Sequence, residues 1–183
     1  MDPKDTEMLK FVSDSSKQLS GMIDDLLAFS RIDKDLGPSH VVPVSEVIDT
    51  VRNNLASVIQ EEQVTIQVPQ ELYQVRAHKN LLSQLFQNLI ANGIKFRKKD
   101  DLSVIKINTE AITDDTITYS ISDNGIGIEP QYFEKIFTIF NRLNNSGGYE
   151  GSGIGLATCK SIIDYYDQKI WLTSELDLSL IHI

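Results

Sequence analysis

The chain has 183 residues, enough for one domain of ordinary size plus an appendage, and 41% of them are hydrophobic, so a core can form. The 17 Lys+Arg face 26 Asp+Glu, and the formal charge of −9 argues against nucleic-acid binding, which needs a basic face. It leaves a nucleotide site open, because one phosphate group needs only a local patch of donors. A single cysteine, Cys159, excludes an intramolecular disulfide and fits a reducing compartment. No apolar run approaches the roughly 18 residues of a membrane span. The charged start MDPKDTEMLK lacks a signal-peptide core. A cytoplasmic piece with no direct membrane contact is expected, whatever anchors a longer parent.

In residues 5–35, apolar or small residues fall at Met8, Val12, Ser15, Leu19, Met22, Leu26 and Phe29. Steps alternating between four and three keep one seam toward a partner helix, and Leu9, Ile23 and Leu27 widen it. This predicts one long coiled-coil-like helix, ended by Gly37-Pro38, that pairs with a second copy of the chain. Residues 45–62 read as an amphipathic helix capped by Ser45, with Val47, Ile48, Val51, Leu55, Val58 and Ile59 inward. Val64–Val68 alternates as a strand stopped by Pro69. Asn80 is placed to cap a helix from Leu81 to Phe96. Residues 103–111 and 116–122 alternate as two strands of a hairpin. Pro130 suits a first helical turn, and Phe133, Ile136, Phe137 and Phe140 follow at helical spacing. A polar, Gly-rich stretch at 144–153 leads into a last helix over 154–166, and Lys169–Thr173 is a final strand. Helices and strands alternate while hairpins recur, which predicts an α/β two-layer sandwich with a mixed sheet.

Three segments carry possible chemistry. On the helix at 81–96, Asn88, Asn92 and Lys95 share a polar stripe apart from Leu82, Leu85, Leu89 and Phe96. It is either a solvated face or a site in which a carboxamide oxygen meets Mg²⁺ and Lys95 meets phosphate. Residues 122–129, SDNGIGIE, are either a turn or a loop whose glycines admit a flat base, with Asp123 accepting from an exocyclic amine. In 148–160, GYEGSGIGLATCK, glycines open a helix, and such a start is either a flexible cap or an anion cradle. It is neither a Walker loop nor a Rossmann turn, and the eukaryotic protein-kinase signatures are absent.

Taken in order, these segments closely resemble the catalytic ATP-binding domain of sensor histidine kinases, in the superfamily that includes gyrase-type ATPases. Gln84–Phe96 looks like the family's N box and Asp123–Ile128 its G1 box. Phe133–Phe137 with Phe140 and Arg142 looks like the F box, and Gly151–Leu156 the G2 box. The match is closest to phytochrome-associated or soluble types. MIDDLLAFSRID in the first helix resembles the second helix of that family's dimerisation bundle.

The resemblance implies domains at 1–37 and 38–183, ATP and Mg²⁺ as cofactors, and a response-regulator receiver domain as partner. Asn92 would hold Mg²⁺, supported by Asn88, while Lys95 and Arg142 contact phosphates. Asp123 would take the adenine amine, and Gly125 and Gly127 pass close to the adenosine. Phe140 and Leu156 complete the cofactor set. Gly151, Gly153 and Gly155 belong to the phosphate loop, and 141–150 form the ATP lid. ATPases of the superfamily carry a Glu where this chain has Asn88, which cannot accept a proton from water. That favours phosphoryl transfer to an imidazole over an ATPase of the same fold; the other alternative, a degenerate non-catalytic dimerisation module, is opposed by the intact boxes and favoured by the missing first bundle helix and altered tail. His40, His78 and His182 lie outside the family's phosphoacceptor setting, so the piece is expected to bind ATP without autophosphorylating. Asp167-Gln168 replaces a Gly-Gly pair, and LSLIHI replaces the family's last strand, which is expected to leave an open sheet edge.

Overall fold

A computed structural model of the chain describes residues 3–30, 32, 36–98, 101–113, 116–141, 152–175 and 178–183. Helix α1 spans Pro3–Ser30. Much of its apolar stripe faces outward, with Met8, Leu9, Val12, Leu19, Ile23, Leu26 and Leu27 all exposed. Its end is tied down: Phe29 packs on the core and Ile32 is fully buried.

Strand β1 (His40–Pro43) pairs antiparallel with β3 (Gln74–Ala77) as a separate two-stranded sheet. The expected helix at 45–62 is two, α2 (Val44–Asn54) and α3 (Ala56–Glu61). Ser45 is not the cap: Pro43 holds that place with φ −65°, and no side chain caps the helix. Strand β2 is Thr65–Gln67, and α4 is Lys79–Lys95. Asn80 likewise does not cap α4, which starts from His78 in extended conformation.

Strands β4 (Val104–Ile112) and β5 (Ile117–Asp123) form the expected hairpin, with a register shift between Thr109 and Ala111. The aromatic segment after Pro130 gives two single 3₁₀ turns, Pro130–Tyr132 and Lys135–Phe137, in place of a longer helix. Helix α5 covers Gly155–Tyr165, and β6 covers Trp171–Glu175.

The chain end overturns the expectation of a lost strand. Leu178–His182 forms β7, which lies between β5 and β6 and pairs antiparallel with both. LSLIHI therefore retains the alternation a strand needs, burying Ile181 and Ser179. The main sheet has the order β2-β4-β5-β7-β6 and is mixed, since β2 runs parallel to β4.

One face of this sheet packs against α2, α4 and α5 around a single core. Ile105 and Ile107 of β4 point inward while Lys106 and Asn108 stay exposed. Val47, Ile48 and Val51 of α2 and Leu85, Phe86, Leu89 and Ile90 of α4 fill the layer between. Phe86 meets Tyr119 edge-on at 6.1 Å. Burying a side chain such as Phe86 stabilises the fold by about 1.5–3 kcal/mol.

His78, expected to be incidental, is a structural junction. Its Nδ1 lies 2.8 Å from the Tyr166 hydroxyl and its Nε2 3.0 Å from the Gly37 carbonyl oxygen. The His78 backbone N–H donates to the same hydroxyl at 2.7 Å. This joins the segment after α1 to the start of α4 and the end of α5. Burial pushes the Tyr166 hydroxyl above its ordinary pKa, against the pull of the His78 backbone bond. Among the described residues, no helix is long and apolar enough to cross a membrane.

Candidate nucleotide site

The polar stripe of α4 faces a cavity of about 330 Å³ between α4, the end of β5 and the start of α5. Asn88, Asn92 and Lys95 line it together with Asp123, Gly127, Gly153, Gly155 and Leu156. Helical spacing explains the arrangement. Leu85, Leu89 and the wide buried face turn α4 into the core, which leaves the Asn stripe at its margin, half-buried. Nine of the sequence-predicted site positions bear on this cavity: eight line it, and the ninth, Gly125, stands directly behind.

At one end sits Asp123, the last residue of β5. Its Oδ1 accepts the Gly125 N–H at 2.9 Å. Burial pushes the Asp123 carboxyl up to about 6, against the pull of the Gly125 N–H and the Ser179 hydroxyl, which favour the ionised form. Ser179 is a site residue that sequence reading missed. It faces Asp123 across the β5–β7 pairing and also lines the cavity. The signal lies in LSLIHI, whose alternation marks a strand even though it lacks the family's glycines.

Gly125 is required by space. A Cβ there would lie 2.5 Å from the Phe96 carbonyl oxygen and 2.6 Å from Asp123 Oδ1. Gly127 and Gly153 each have φ 72°, a left-handed conformation that side chains disfavour.

The loop is fastened at several points. Asn124, also unremarked from sequence, acts as a surrogate strand residue. Its Oδ1 accepts the Val104 N–H at 2.8 Å and its Nδ2 donates to the Leu102 carbonyl at 2.9 Å. Ile126 N–H donates to the Phe96 carbonyl at 3.0 Å, and Ile128 N–H to Ser174 Oγ at 2.8 Å.

The other end is formed by the start of α5. Asn88 Nδ2 donates to the Gly155 carbonyl at 3.2 Å, linking the two helices. Ser152 Oγ accepts the Ile154 N–H at 3.3 Å and donates to Asp25 Oδ2 of α1 at 2.5 Å. Asp25 lines the same cavity and was not foreseen as a site residue. Cys159, fully buried below Asn88, is no nucleophile: burial pushes its thiol up to about 12, although the Asn88 side chain pulls the other way.

Phe140 is not brought into the cavity. It is 62% exposed with φ 63°, and its N–H donates to the Gly153 carbonyl at 3.1 Å. Lys95 Nζ stands 4.7 Å over the Phe96 ring while the residue lines the cavity. Arg142, Gly151 and most of the expected lid, 142–150, lie outside the described residues.

Beside the start of α5 the site offers the carboxamides of Asn88 and Asn92, backbone groups and the Asp25 carboxylate as oxygen donors, while Lys95 supplies a cation for an anionic ligand. No cluster of three His, Cys, Asp or Glu occurs among the described residues. That set suits a hard cation which keeps its waters and takes phosphate oxygens as its other ligands.

Comparison with known proteins agrees with this geometry. The family described as histidine kinase-, DNA gyrase B-, and HSP90-like ATPase matches residues 77–179, more than half of the chain. The chain is 38% identical to cyanobacterial phytochrome A of Nostoc sp. over 176 residues, which is 96% of this chain and 23% of that protein. Its fold is similar to that of histidine kinase ThkA solved in complex with response regulator protein TrrA, with TM-score 0.73, 20% identity and coverage of 100% of this chain and 52% of that one. It is also similar to full-length ShkA in complex with AMPPNP, with TM-score 0.71, 19% identity and coverage of 100% and 39%. The chain spans less than a quarter of the length of the first curated relatives it matches. A cavity between an Asn-bearing helix, an Asp-Asn-Gly loop and a glycine-opened helix, with that match across it, makes this chain a member of the histidine kinase-, DNA gyrase B- and HSP90-like ATPase family.

Proposed function

We propose that the cavity binds ATP with Mg²⁺, and that within a longer polypeptide this unit is the kinase part of a two-component sensor. The observation that carries the reading is the pairing of Asp123 with the Asn88/Asn92 stripe in one cavity. Ionised Asp123 accepts a hydrogen bond from the adenine amine, helped by Ser179 on its other side. Asn92 holds the metal through its carboxamide oxygen, Asn88 orients the start of α5, and Lys95 attracts phosphate. Mg²⁺, when bound, supplies charge neutralisation at the phosphate oxygens.

Asn88 also favours one chemistry. A carboxamide does not take a proton from water, so the γ-phosphoryl is kept for a stronger nucleophile. In the proposed transfer, the bond from the γ-phosphorus to the β–γ bridging oxygen breaks and a phosphorus–nitrogen bond to an imidazole forms. ADP leaves with the bridging oxygen, and the phosphohistidine then serves a receiver domain.

None of the three histidines suits the acceptor role. His40 is an exposed residue at the start of β1, His78 is buried in its junction, and His182 is stacked flat on Trp171 at 4.9 Å. The exposed apolar stripe of α1 fits a second copy of the chain, because its four-three spacing is that of a helix seam between partners.

Calorimetry with Mg²⁺·ADP and Mg²⁺·AMPPNP tests the site beside Asn92→Ala. Binding in the wild type and its loss in the folded variant is the expected result. Steady ATP hydrolysis by the wild type would instead favour an ATPase, and a folded wild type that binds neither ligand would favour a non-catalytic module.

A further inference from the structure

Among the described residues two carboxylates line the cavity, and the nucleotide reading uses only Asp123. The other, Asp25, comes from α1 and reaches the opposite end. There the first turn of α5 leaves backbone N–H groups without helical partners, and its dipole favours negative charge. Ser152 connects the two: its Oγ takes the Ile154 N–H and gives its own proton to Asp25 Oδ2 at 2.5 Å. Asn88 and Asn92 stand at the same end, within about 4 Å of where a Cβ on Gly155 would lie.

We infer that Asp25 is a residue of the nucleotide site, contributed by α1, whose carboxylate stands where the outer phosphates of a bound nucleotide would place their charge. The inference rests on the nucleotide reading of this cavity. A carboxylate and a polyphosphate repel at such range, so the two compete for one end of the site. A triphosphate must therefore displace Asp25 from Ser152, and α1 moves from the start of α5 as it binds. By reciprocity, whatever pulls α1 away raises the affinity for triphosphate. Adenosine alone meets Asp123 without disturbing Asp25. Asp25 thereby sets phosphate preference, and the position of α1 becomes legible to the nucleotide site.

The test uses the full 183-residue chain, titrated with adenosine, ADP and AMPPNP with and without Mg²⁺, as wild type and as Asp25→Asn. That exchange keeps the side-chain shape on an exposed helix surface. The expected result is AMPPNP affinity tightened roughly three- to ten-fold, ADP tightened less and adenosine unchanged. In parallel, spin labels at Leu19→Cys and Lys169→Cys, in a Cys159→Ser background, should show a longer distance once AMPPNP is added. Unchanged or weakened AMPPNP binding by Asp25→Asn would overturn the inference while leaving the nucleotide site intact. Weakening confined to Mg²⁺ solutions would make Asp25 a metal ligand instead. Failure of the wild type to bind any of the three ligands would overturn the nucleotide reading, and the inference with it.

Discussion

The two glycine loops that bound the cavity are held in different ways. The loop at 123–128 is fastened to the body of the sheet: Asn124 ties it to the start of β4, Ile126 to the end of α4, and Ile128 to β6. Among the described residues, the segment at 152–155 is tied to different partners. It meets α4 through Asn88, Phe140 through Gly153, and α1 through Ser152. The base end of the site is thus built from bonds that fold with the domain. The phosphate end of the proposed site includes one bond to α1, the helix whose position the inference above couples to the nucleotide. A ligand's base meets a surface already in place, while its phosphates meet one that depends on what α1 is doing.

The sharpest way to break this comparison is Gly125→Ala. Its Cβ would press on the Phe96 carbonyl and on Asp123 itself, so the loop must shift as a unit. Loss of roughly 100-fold in AMPPNP affinity is expected, with about 1–3 kcal/mol of stability from the forced overpacking. Calorimetry and chemical denaturation on one preparation separate the two effects. Affinity within a few-fold of wild type would show that the base end is less fixed than its bonds suggest.

Next comes Asp123 and its proton. Its carboxyl is held up to about 6 in the folded protein, against 3.8 for the ordinary group. A carboxyl with a raised folded pKa binds its proton more tightly in the folded state, so its contribution to stability falls as pH rises from about 4 to about 6. Above that range it costs about 2–3 kcal/mol, a cost absent below its unfolded pKa. In the proposed function base recognition runs the other way, because only the ionised form would accept from the amine with full strength. Nucleotide affinity should therefore rise through pH 6. Asp123→Asn should flatten both profiles, weaken binding roughly ten- to a hundred-fold at pH 7.5, and leave the fold at least as stable there. A variant whose binding still rises through pH 6 would assign that titration to another group.

Much of this architecture was legible because it rests on periodicity. The Asn stripe stood apart from the leucines of α4 at fixed spacing, and the β4–β5 hairpin alternated cleanly. Boundaries failed where the backbone, not a side chain, sets the start: α2 begins from Pro43 and α4 from His78, so Ser45 and Asn80 misled. Strands β1 and β3 have four residues each, too few to show alternation, and their pairing joins distant positions. The segment after Pro130 has helical spacing but closes only single 3₁₀ turns. Strand β7 departs from the family's last-strand pattern, although LSLIHI alternates as a strand should. At the site, type and spacing singled out Asp123, Gly125, Gly127, Gly153 and Gly155 as candidates, and the resemblance gathered them into one site. Ser179 and Asp25 were not singled out, since each reaches the cavity only through tertiary placement, one by strand register and the other by helix docking.

The smallest expected effect is the most discriminating, because its sign differs. Ser152→Ala removes the hydroxyl that takes the Ile154 N–H and holds Asp25. The lost bond to a half-buried backbone group should destabilise the fold by at most about 1 kcal/mol. Losing the tie to α1 removes an anion's hold on the phosphate end, so AMPPNP should bind up to about three-fold tighter. Adenosine should bind as before. Substitutions in the first loop weaken every ligand that carries the base, whereas this one strengthens only those that carry phosphates. If Ser152→Ala instead weakened AMPPNP as much as Asp123→Asn does, the phosphate end would be as firmly built as the base end. The hydroxyl would then serve the ligand directly, and the bond to α1 would be a bystander.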